Sequence, residues 1–90
     1  MAKRGKLEIM MNILKIIKDN KNSIKPTPLL RKSRLSSARF KEYYADLLER
    51  KLIIEFLDKT NNKYLMLTES GLRFLERYNS IIEFIDEFEL

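Results

Sequence analysis

Basic side chains, rather than catalytic ones, are the groups in this chain whose types and spacing could do chemistry. The 90 residues include 18 Lys and Arg but no Cys and no His. This composition excludes thiolate nucleophiles, imidazole bases and the common zinc sites. An enzyme that uses only carboxylates, Lys and Tyr stays conceivable, but no constellation of such residues stands out. We therefore predict a protein that is not an enzyme and that uses no metal or cofactor.

The positive charge is concentrated in the first part of the chain. Residues 1–50 hold thirteen Lys and Arg against five Asp and Glu, a net charge of +8, whereas residues 51–90 hold five against eight, a net charge of −3. This asymmetry is typical of a protein that binds a polyanion with one region and repels it with another. A lysine-rich surface that is solvated and has no partner is the alternative that charge alone leaves open.

The stretch from Leu35 to Leu52 predicts a helix that would present part of this charge. Ser36 can act as its N-cap, because a serine oxygen accepts a hydrogen bond from a free N–H group of the first turn. The face of this helix opposite the apolar residues carries small residues between long polar ones, with Arg39 and Lys41 on its flanks. Such a face suits close approach by a partner. The apolar residues recur at three- and four-residue steps and predict one buried face: Phe40, Tyr43, Tyr44, Leu47 and Leu48.

A shorter helix is predicted directly before this one. Thr27 can cap a helix over residues 28–33, where a proline in the first position loses no hydrogen bond. The next two residues, Arg34 and Leu35, would form a tight turn. Helix, short turn and helix together predict a helix-turn-helix, with residues 36–50 as its recognition helix.

The flanking segments complete the pattern of a winged helix-turn-helix. Residues 7–18 have a helical apolar period, and residues 23–25 could pair with the edge of a later hairpin. Residues 52–57 and 63–67 are β-branched and aromatic, and the polar turn residues between them predict a hairpin, the wing. Without this hairpin we would predict a plain three-helix bundle.

A last, long helix is predicted from Glu69, with Thr68 as its N-cap. The expected fold is therefore mainly α with a small β-hairpin (α+β): a winged helix-turn-helix with a long C-terminal dimerisation helix. Residues 1–68 would form the DNA-binding domain, and residues 69–90 would form the dimerisation element.

The C-terminal helix has more apolar surface than so small a domain can cover. Its first half can pack on the core near Leu72 and Leu75, but its second half has nothing left in the chain to contact. We predict a homodimer in which two such helices cross as a short coiled coil. The alternative is a helix that folds back across the first helix. The residues expected at the dimer interface are Tyr78, Ile81, Ile82, Phe84, Ile85 and Phe88.

Four segments of the sequence resemble one known family. They are RGKLEIMMNIL at residues 4–14, TPLLRKSRLS at 27–36, FKEYYADLLERKLI at 40–53 and YLMLTESGLRFLERY at 64–78. They resemble the small archaeal winged-helix DNA-binding proteins of the ten-kilodalton type, which dimerise through an antiparallel coiled-coil helix at the C-terminus. The resemblance implies a dimeric DNA-binding protein or transcriptional regulator without a cofactor. The sequence departs from the family pattern in two places. Arg34 stands in the turn, where Asn or Gly would adopt a left-handed conformation more easily, and the segment after Tyr78 is short and acidic.

A recognition helix enters the major groove near its N-terminal end, where Arg or Lys can pair with guanine and Glu with a cytosine amine. The basic residues of the shorter helix and the turn should contact phosphates, the wing should lie on the backbone or in a minor groove, and Lys3, Arg4 and Lys6 could add a loose arm. The predicted DNA-binding residues are Lys25, Arg31, Lys32, Arg34, Ser36, Ser37, Ala38, Arg39, Lys41, Glu42, Lys59, Asn61, Asn62 and Lys63.

Three functions stay open at this point. The first is a dimeric transcriptional regulator that binds specific sites in double-stranded DNA, and the second is a sequence-neutral architectural or chromatin protein. The third is a winged-helix protein–protein interaction module, which the acidic end and Glu42 favour. The basic half favours the first two, and the regulator most. No apolar run approaches the roughly 20 residues that cross a bilayer, so we expect a cytoplasmic protein without a membrane partner.

Overall fold

The computed structural model describes residues 5–88. The elements in chain order are α1 (Lys6–Asp19), α2 (Pro26–Ser33), α3 (Ser37–Glu49), β1 (Ile53–Leu57), β2 (Lys63–Leu67) and α4 (Glu69–Glu87). The predicted fold class is confirmed: the chain is mainly α with one small antiparallel hairpin, and a long C-terminal helix is present. Lys3 and Arg4 of the predicted arm lie outside the described residues.

α1 lies at the centre of the core. Its side chains Ile9, Ile13, Leu14 and Ile17 are at most 2% exposed. Leu7, the first apolar residue of the predicted period, is 50% exposed and lines a groove between α1 and α4. The buried residues that other elements add to this core are Ile24, Leu29, Phe40, Leu47, Leu52, Ile53, Leu65, Leu67 and Leu75.

α2 begins earlier than the sequence pattern predicted. Pro26, not Pro28, takes the first helical position, and Lys25 is the extended residue before it. The prediction of Thr27 as N-cap is therefore wrong. The physical reason is that both prolines fall within the first turn, where the N–H groups have no helical acceptor and their loss costs nothing.

The turn between α2 and α3 has the expected length. Arg34 ends α2 in the left-handed region, with φ 60° and ψ 26°, a conformation that only a few non-glycine residues adopt. The Ser33 hydroxyl, which is buried, donates to the Leu30 carbonyl oxygen at 2.7 Å and accepts from the Leu35 N–H at 3.3 Å. These bonds fix the end of α2 and the start of the turn.

The wing is an antiparallel hairpin with a loop over residues 58–62. Its register pairs Ile53 with Leu67 and Leu57 with Lys63. Ile24 joins the outer edge of β2 through two backbone hydrogen bonds with Leu65, of 3.1 and 2.8 Å. This confirms the prediction that residues 23–25 pair with the hairpin, and it attaches the wing to the segment before α2.

α4 starts on the predicted cap, since the Thr68 hydroxyl accepts from the Gly71 N–H at 3.0 Å. Leu75 is buried in the core, whereas Leu72 is 37% exposed, so the prediction of a core contact holds for Leu75 only. The helix then continues past the domain, which gives a molecule with a longest dimension of 49 Å.

Candidate nucleic-acid interface

α3 presents one face to the core and the opposite face to solvent. Phe40 and Leu47 are buried, and they hold the helix on the domain. All residues predicted to face a base edge are exposed: Ser37, Ala38, Arg39, Lys41 and Glu42, together with Ala45. Ala38 and Ala45 have small side chains, so a partner surface can come close to the backbone of α3 at these two positions.

The N-terminal turn of α3 is fixed by its cap. The Ser36 side-chain oxygen accepts from the Arg39 N–H at 3.2 Å, which confirms the predicted N-cap. The Arg39 guanidinium lies 6.0 Å from the centre of the Tyr43 ring, within the range of a cation–π contact. The unpaired N–H groups of this turn and the arginine together form a positive helix end.

The basic residues of α2 and the turn lie next to this helix end in the chain. Arg31, Lys32 and Arg34 are exposed and line one shallow depression together with Pro28. The Lys32 ammonium also donates to the Asn20 side-chain oxygen at 3.3 Å, which ties it to the end of α1. Three positive charges around one depression suit a phosphate group.

Lys25 lies beside the wing rather than on α2 itself. Its ammonium is 5.7 Å from the centre of the Tyr64 ring, and Tyr64 in turn stacks on Phe56 across the hairpin at 5.5 Å. The lysine is exposed, so it combines an aromatic contact with a charge that solvent or a phosphate can reach.

The tip of the wing is organised by Asp58. Its carboxylate accepts from the backbone N–H groups of Thr60 and Asn62, at 2.8 and 2.9 Å, and from the Thr60 hydroxyl. These bonds lower the pKa of the Asp58 carboxyl, the Asn62 N–H contributing most. The Asn62 amide donates to the Thr60 hydroxyl at 2.8 Å, so this predicted DNA-binding side chain is engaged within the loop. Lys59, Asn61 and Lys63 are exposed.

The C-terminal end of α3 carries an ion-pair cluster. Asp46 lies 2.8 Å from Arg50 and 3.4 Å from Lys6, and Arg50, followed by Lys6, lowers the pKa of the Asp46 carboxyl. Lys6 is the first residue of α1 and belongs to this cluster, so it is not part of a loose arm.

One polar contact joins α3 to the wing, and sequence reasoning missed it. The Tyr44 hydroxyl donates to Glu55 Oε2 on β1, and the Lys63 ammonium on β2 lies 3.4 Å from the same oxygen. The three residues come from separate elements, so no local spacing in the sequence could have indicated the contact.

An apolar surface runs along the projecting part of α4. Ile81, Phe84 and Phe88 are 57%, 55% and 58% exposed, and the Phe84 and Phe88 ring centres are 4.8 Å apart. Of the other predicted dimerisation residues, Ile82 is exposed, whereas Tyr78 and Ile85 are half-buried. The exposed side chains show that the second half of α4 does not fold back on α1.

A groove of about 400 Å³ continues this surface towards the domain. Leu7 of α1 forms one wall of the groove, and Phe74, Tyr78 and Ile81 of α4 form the other. Within residues 5–88, none of the helices is both long and apolar enough to cross a membrane.

The comparisons with known proteins agree with this geometry. A family model described as winged helix-turn-helix matches residues 3–86. A search of curated proteins gives no match. Among solved structures, the chain is similar to MepR, a transcription regulator of the Staphylococcus aureus multidrug efflux pump MepA, with a TM-score of 0.79 and 17% identity over 89% of this chain and 60% of that one.

A second solved structure has the same fold. The PcaV transcriptional regulator from Streptomyces coelicolor superposes with a TM-score of 0.76 and 18% identity, over 89% of this chain and 60% of that chain. This chain therefore spans about three fifths of the length of the regulators that it matches. On the match of the family model over nearly the whole sequence, the chain belongs to the winged helix-turn-helix family.

Proposed function

We propose that this protein is a transcriptional regulator that binds duplex DNA as a homodimer, with α3 in the major groove and the wing on the backbone or in the adjacent minor groove. The observation that carries the proposal is the exposed N-terminal half of α3, where Ser37, Ala38, Arg39 and Lys41 all face solvent behind a capped helix end. MepR and PcaV, which share the fold, are both transcription regulators by name.

Base edges would be read by the exposed arc of α3. Arg39 or Lys41 can donate to guanine O6 and N7, and Glu42 can accept from a cytosine amine. Glu42 would repel a phosphate, so it disfavours duplexes that place the backbone rather than a base opposite this position. Ala38 and Ala45 allow the helix to approach the floor of the groove.

Phosphates would be held on two sides of this helix. Arg31, Lys32 and Arg34 surround one depression before α3, and Lys25, Lys59, Asn61 and Lys63 lie beside the wing and at its tip. Ser36 and the N–H groups of the α3 helix end complete the first set. Such contacts position the protein without reading the sequence.

The dimer would form through the apolar surface of α4. A helix that exposes Ile81, Phe84 and Phe88 in water is unfavourable, since each large side chain is worth about 1.5–3 kcal/mol when it is fully buried. A second copy is the simplest cover, because it offers the same apolar residues. Two linked recognition helices would then bind two half-sites.

Charge favours an antiparallel pair. Residues 69–78 of α4 contain two acidic and two basic side chains, whereas residues 79–87 contain three acidic side chains and no basic one. A parallel pair would place the two acidic ends side by side, but an antiparallel pair places each acidic end beside the partner's Arg73 and Arg77. The family resemblance implies the same direction.

One register satisfies this direction. Suppose that the two Ile81 side chains meet at the twofold axis. Each residue before Ile81 then lies beside the partner residue that follows Ile81 by the same number of positions. Phe74 then faces the partner's Phe88, and Tyr78 faces the partner's Phe84. In this register the partner's Phe84 and Phe88 rings would fill the groove between Leu7 and α4.

Binding of labelled duplexes, followed by fluorescence anisotropy, tests the proposal. Arg39→Ala should weaken binding by about 5- to 150-fold, because one base contact is worth about 1–3 kcal/mol. The matched control is Lys15→Ala, which removes one exposed positive charge from α1 and should change affinity less than about twofold. Equal losses for the two variants would argue against α3 as the reading element.

Selection of bound duplexes from a random library separates the regulator from a sequence-neutral protein. The regulator should enrich a site with two half-sites about 10 base pairs apart, or a multiple of that spacing. A library that stays random after selection, despite tight binding, would support the architectural alternative.

A further inference from the structure

Three elements of the proposed DNA-binding surface meet at one carboxylate oxygen. Glu55 Oε2 on β1 accepts from the Tyr44 hydroxyl of α3, and the Lys63 ammonium of β2 lies 3.4 Å from the same atom. Within residues 5–88, the Tyr44–Glu55 bond is the one side-chain hydrogen bond between α3 and the hairpin. We call these three residues the wing clasp.

The clasp lies where the hairpin leaves the core. Glu55 is paired with Leu65 in the register, and Lys63 is its diagonal neighbour on the same face of the sheet. On that face Ile53 and Leu65 are buried, whereas Leu57, nearer the tip, is 61% exposed. The wing is thus held by packing and by the backbone bonds between Ile24 and Leu65, and the clasp adds a side-chain contact with α3 at the level of Leu65.

The Tyr44 hydroxyl is itself held in place from the other side. Its ring stacks on the buried Phe40 ring, with centres 5.7 Å apart and planes 11° from parallel. Partial burial, followed by the hydrogen bond to Glu55, raises the pKa of Tyr44. Both effects favour the protonated hydroxyl, which is the form that donates to the Glu55 carboxylate.

We propose that Tyr44 and Glu55 are positioning residues, which fix the angle between the recognition helix and the wing so that the wing tip reaches the DNA backbone. The inference rests on the proposed function, since the angle matters only if both elements contact one duplex. Glu55 partly neutralises the charge of Lys63. Lys59 lies at the tip of the wing, so its contact with the DNA backbone depends most on the position of the wing.

A double-mutant cycle tests this coupling. Lys59→Ala should weaken duplex binding about fivefold at 0.15 M salt, which is the effect expected for one lost phosphate contact. In the background of Tyr44→Phe, which keeps the ring and removes the hydroxyl, Lys59→Ala should change binding less than about twofold. Equal effects of Lys59→Ala in both backgrounds would overturn the proposal.

The matched control is Tyr43→Phe, which removes a hydroxyl from the neighbouring residue of α3. In that background the effect of Lys59→Ala should stay near fivefold. A loss of the Lys59 effect in this variant also would show that any change to α3 disturbs the wing, which contradicts a specific role for Tyr44.

A measurement without DNA separates the clasp from the proposed function. NMR order parameters of the backbone amides of residues 57–63 should fall in Tyr44→Phe and stay unchanged in Tyr43→Phe, because only the first removes the hydrogen bond of the clasp. Unchanged values in Tyr44→Phe would refute the clasp even if the protein binds DNA. Lower values together with no duplex binding by the unaltered protein would refute the proposed function and leave the clasp supported.

Discussion

The Ser36 side-chain oxygen accepts a hydrogen bond from the backbone N–H of Arg39 at 3.2 Å. The residue that caps α3 is therefore bonded to the residue that we propose to read a base edge. In the proposed complex, the stability of the helix end and the recognition of DNA would be linked at this point, because a frayed first turn would no longer present the Arg39 side chain in one direction.

Ser36→Ala should destabilise the domain by about 1 kcal/mol, the usual effect of losing an N-cap. For a domain of this size that corresponds to a fall of roughly 4–8 °C in Tm, measurable by circular dichroism. Ser37→Ala is the matched control, since Ser37 is exposed in the first turn of α3, and its effect should stay within about 0.5 kcal/mol. Equal losses would show that the hydrogen bond of Ser36 contributes little.

Gly71→Ala should lower the free energy of unfolding, although alanine usually favours a helix more than glycine does. A methyl group on Gly71 would overlap the backbone carbonyl oxygen of Leu52, which cannot move without shifting the start of the wing. We expect a loss of about 2–3 kcal/mol in the free energy of unfolding, typical of forced overpacking. Urea denaturation would measure it.

Gly5→Ala provides the comparison for this glycine. Gly5 precedes α1, and nothing lies within 4 Å of the position that its methyl group would take. The expected loss is at most about 1 kcal/mol, as for other N-cap changes. If Gly71→Ala were as mild as Gly5→Ala, the close contact between α4 and Leu52 would be wrong.

Acid should weaken the fold partly through Asp58. The N–H groups of the loop lower the pKa of this carboxyl in the folded state, so its contribution to stability is present above the unfolded value and is lost as the pH falls through the folded pKa. Tm should therefore decrease from about pH 5 towards pH 2. The decrease should be smaller in Asp58→Asn, which cannot titrate, and an identical decrease would exclude a contribution of the loop.

Ile81→Glu should convert the proposed dimer to a monomer, because it places two like charges at the proposed twofold axis. Asn79→Glu adds the same charge on the opposite arc of α4 and should leave the dimer intact. Sedimentation velocity would distinguish the two states. A chain that ends at Tyr78 should also be monomeric and bind DNA much more weakly. Dimers formed by Ile81→Glu would refute this interface.

Periodicity and caps predicted most of the fold. The Ser36 and Thr68 caps and the period change at the wing are local signals, and the structure confirms them. Of the predicted apolar face of α3, two residues, Phe40 and Leu47, are buried, and the other three, Tyr43, Tyr44 and Leu48, are half-buried. The sequence pattern predicts a start of α2 at Pro28, two residues too late, because both prolines suit the first turn of a helix. Leu7 and Leu72 were expected to be buried, but an apolar pattern does not show where the surrounding elements end.

The candidate site was predictable in kind but not in detail. The exposed arc of α3 followed from helical spacing, whereas the Tyr44–Glu55 contact depends on how the hairpin packs against α3. The same holds for Lys6, whose pairing with Asp46 brings together residues 40 positions apart in the sequence. The roles of the individual side chains in binding DNA stay predictions.

The affinity of the unaltered protein for a duplex as a function of salt tests the central claim most directly. If about six phosphates are contacted, affinity should fall roughly a thousandfold between 50 and 200 mM salt, with a linear dependence of log K on log salt concentration. No detectable binding to any duplex at 50 mM salt would contradict a DNA-binding function and would favour a protein partner for the winged helix.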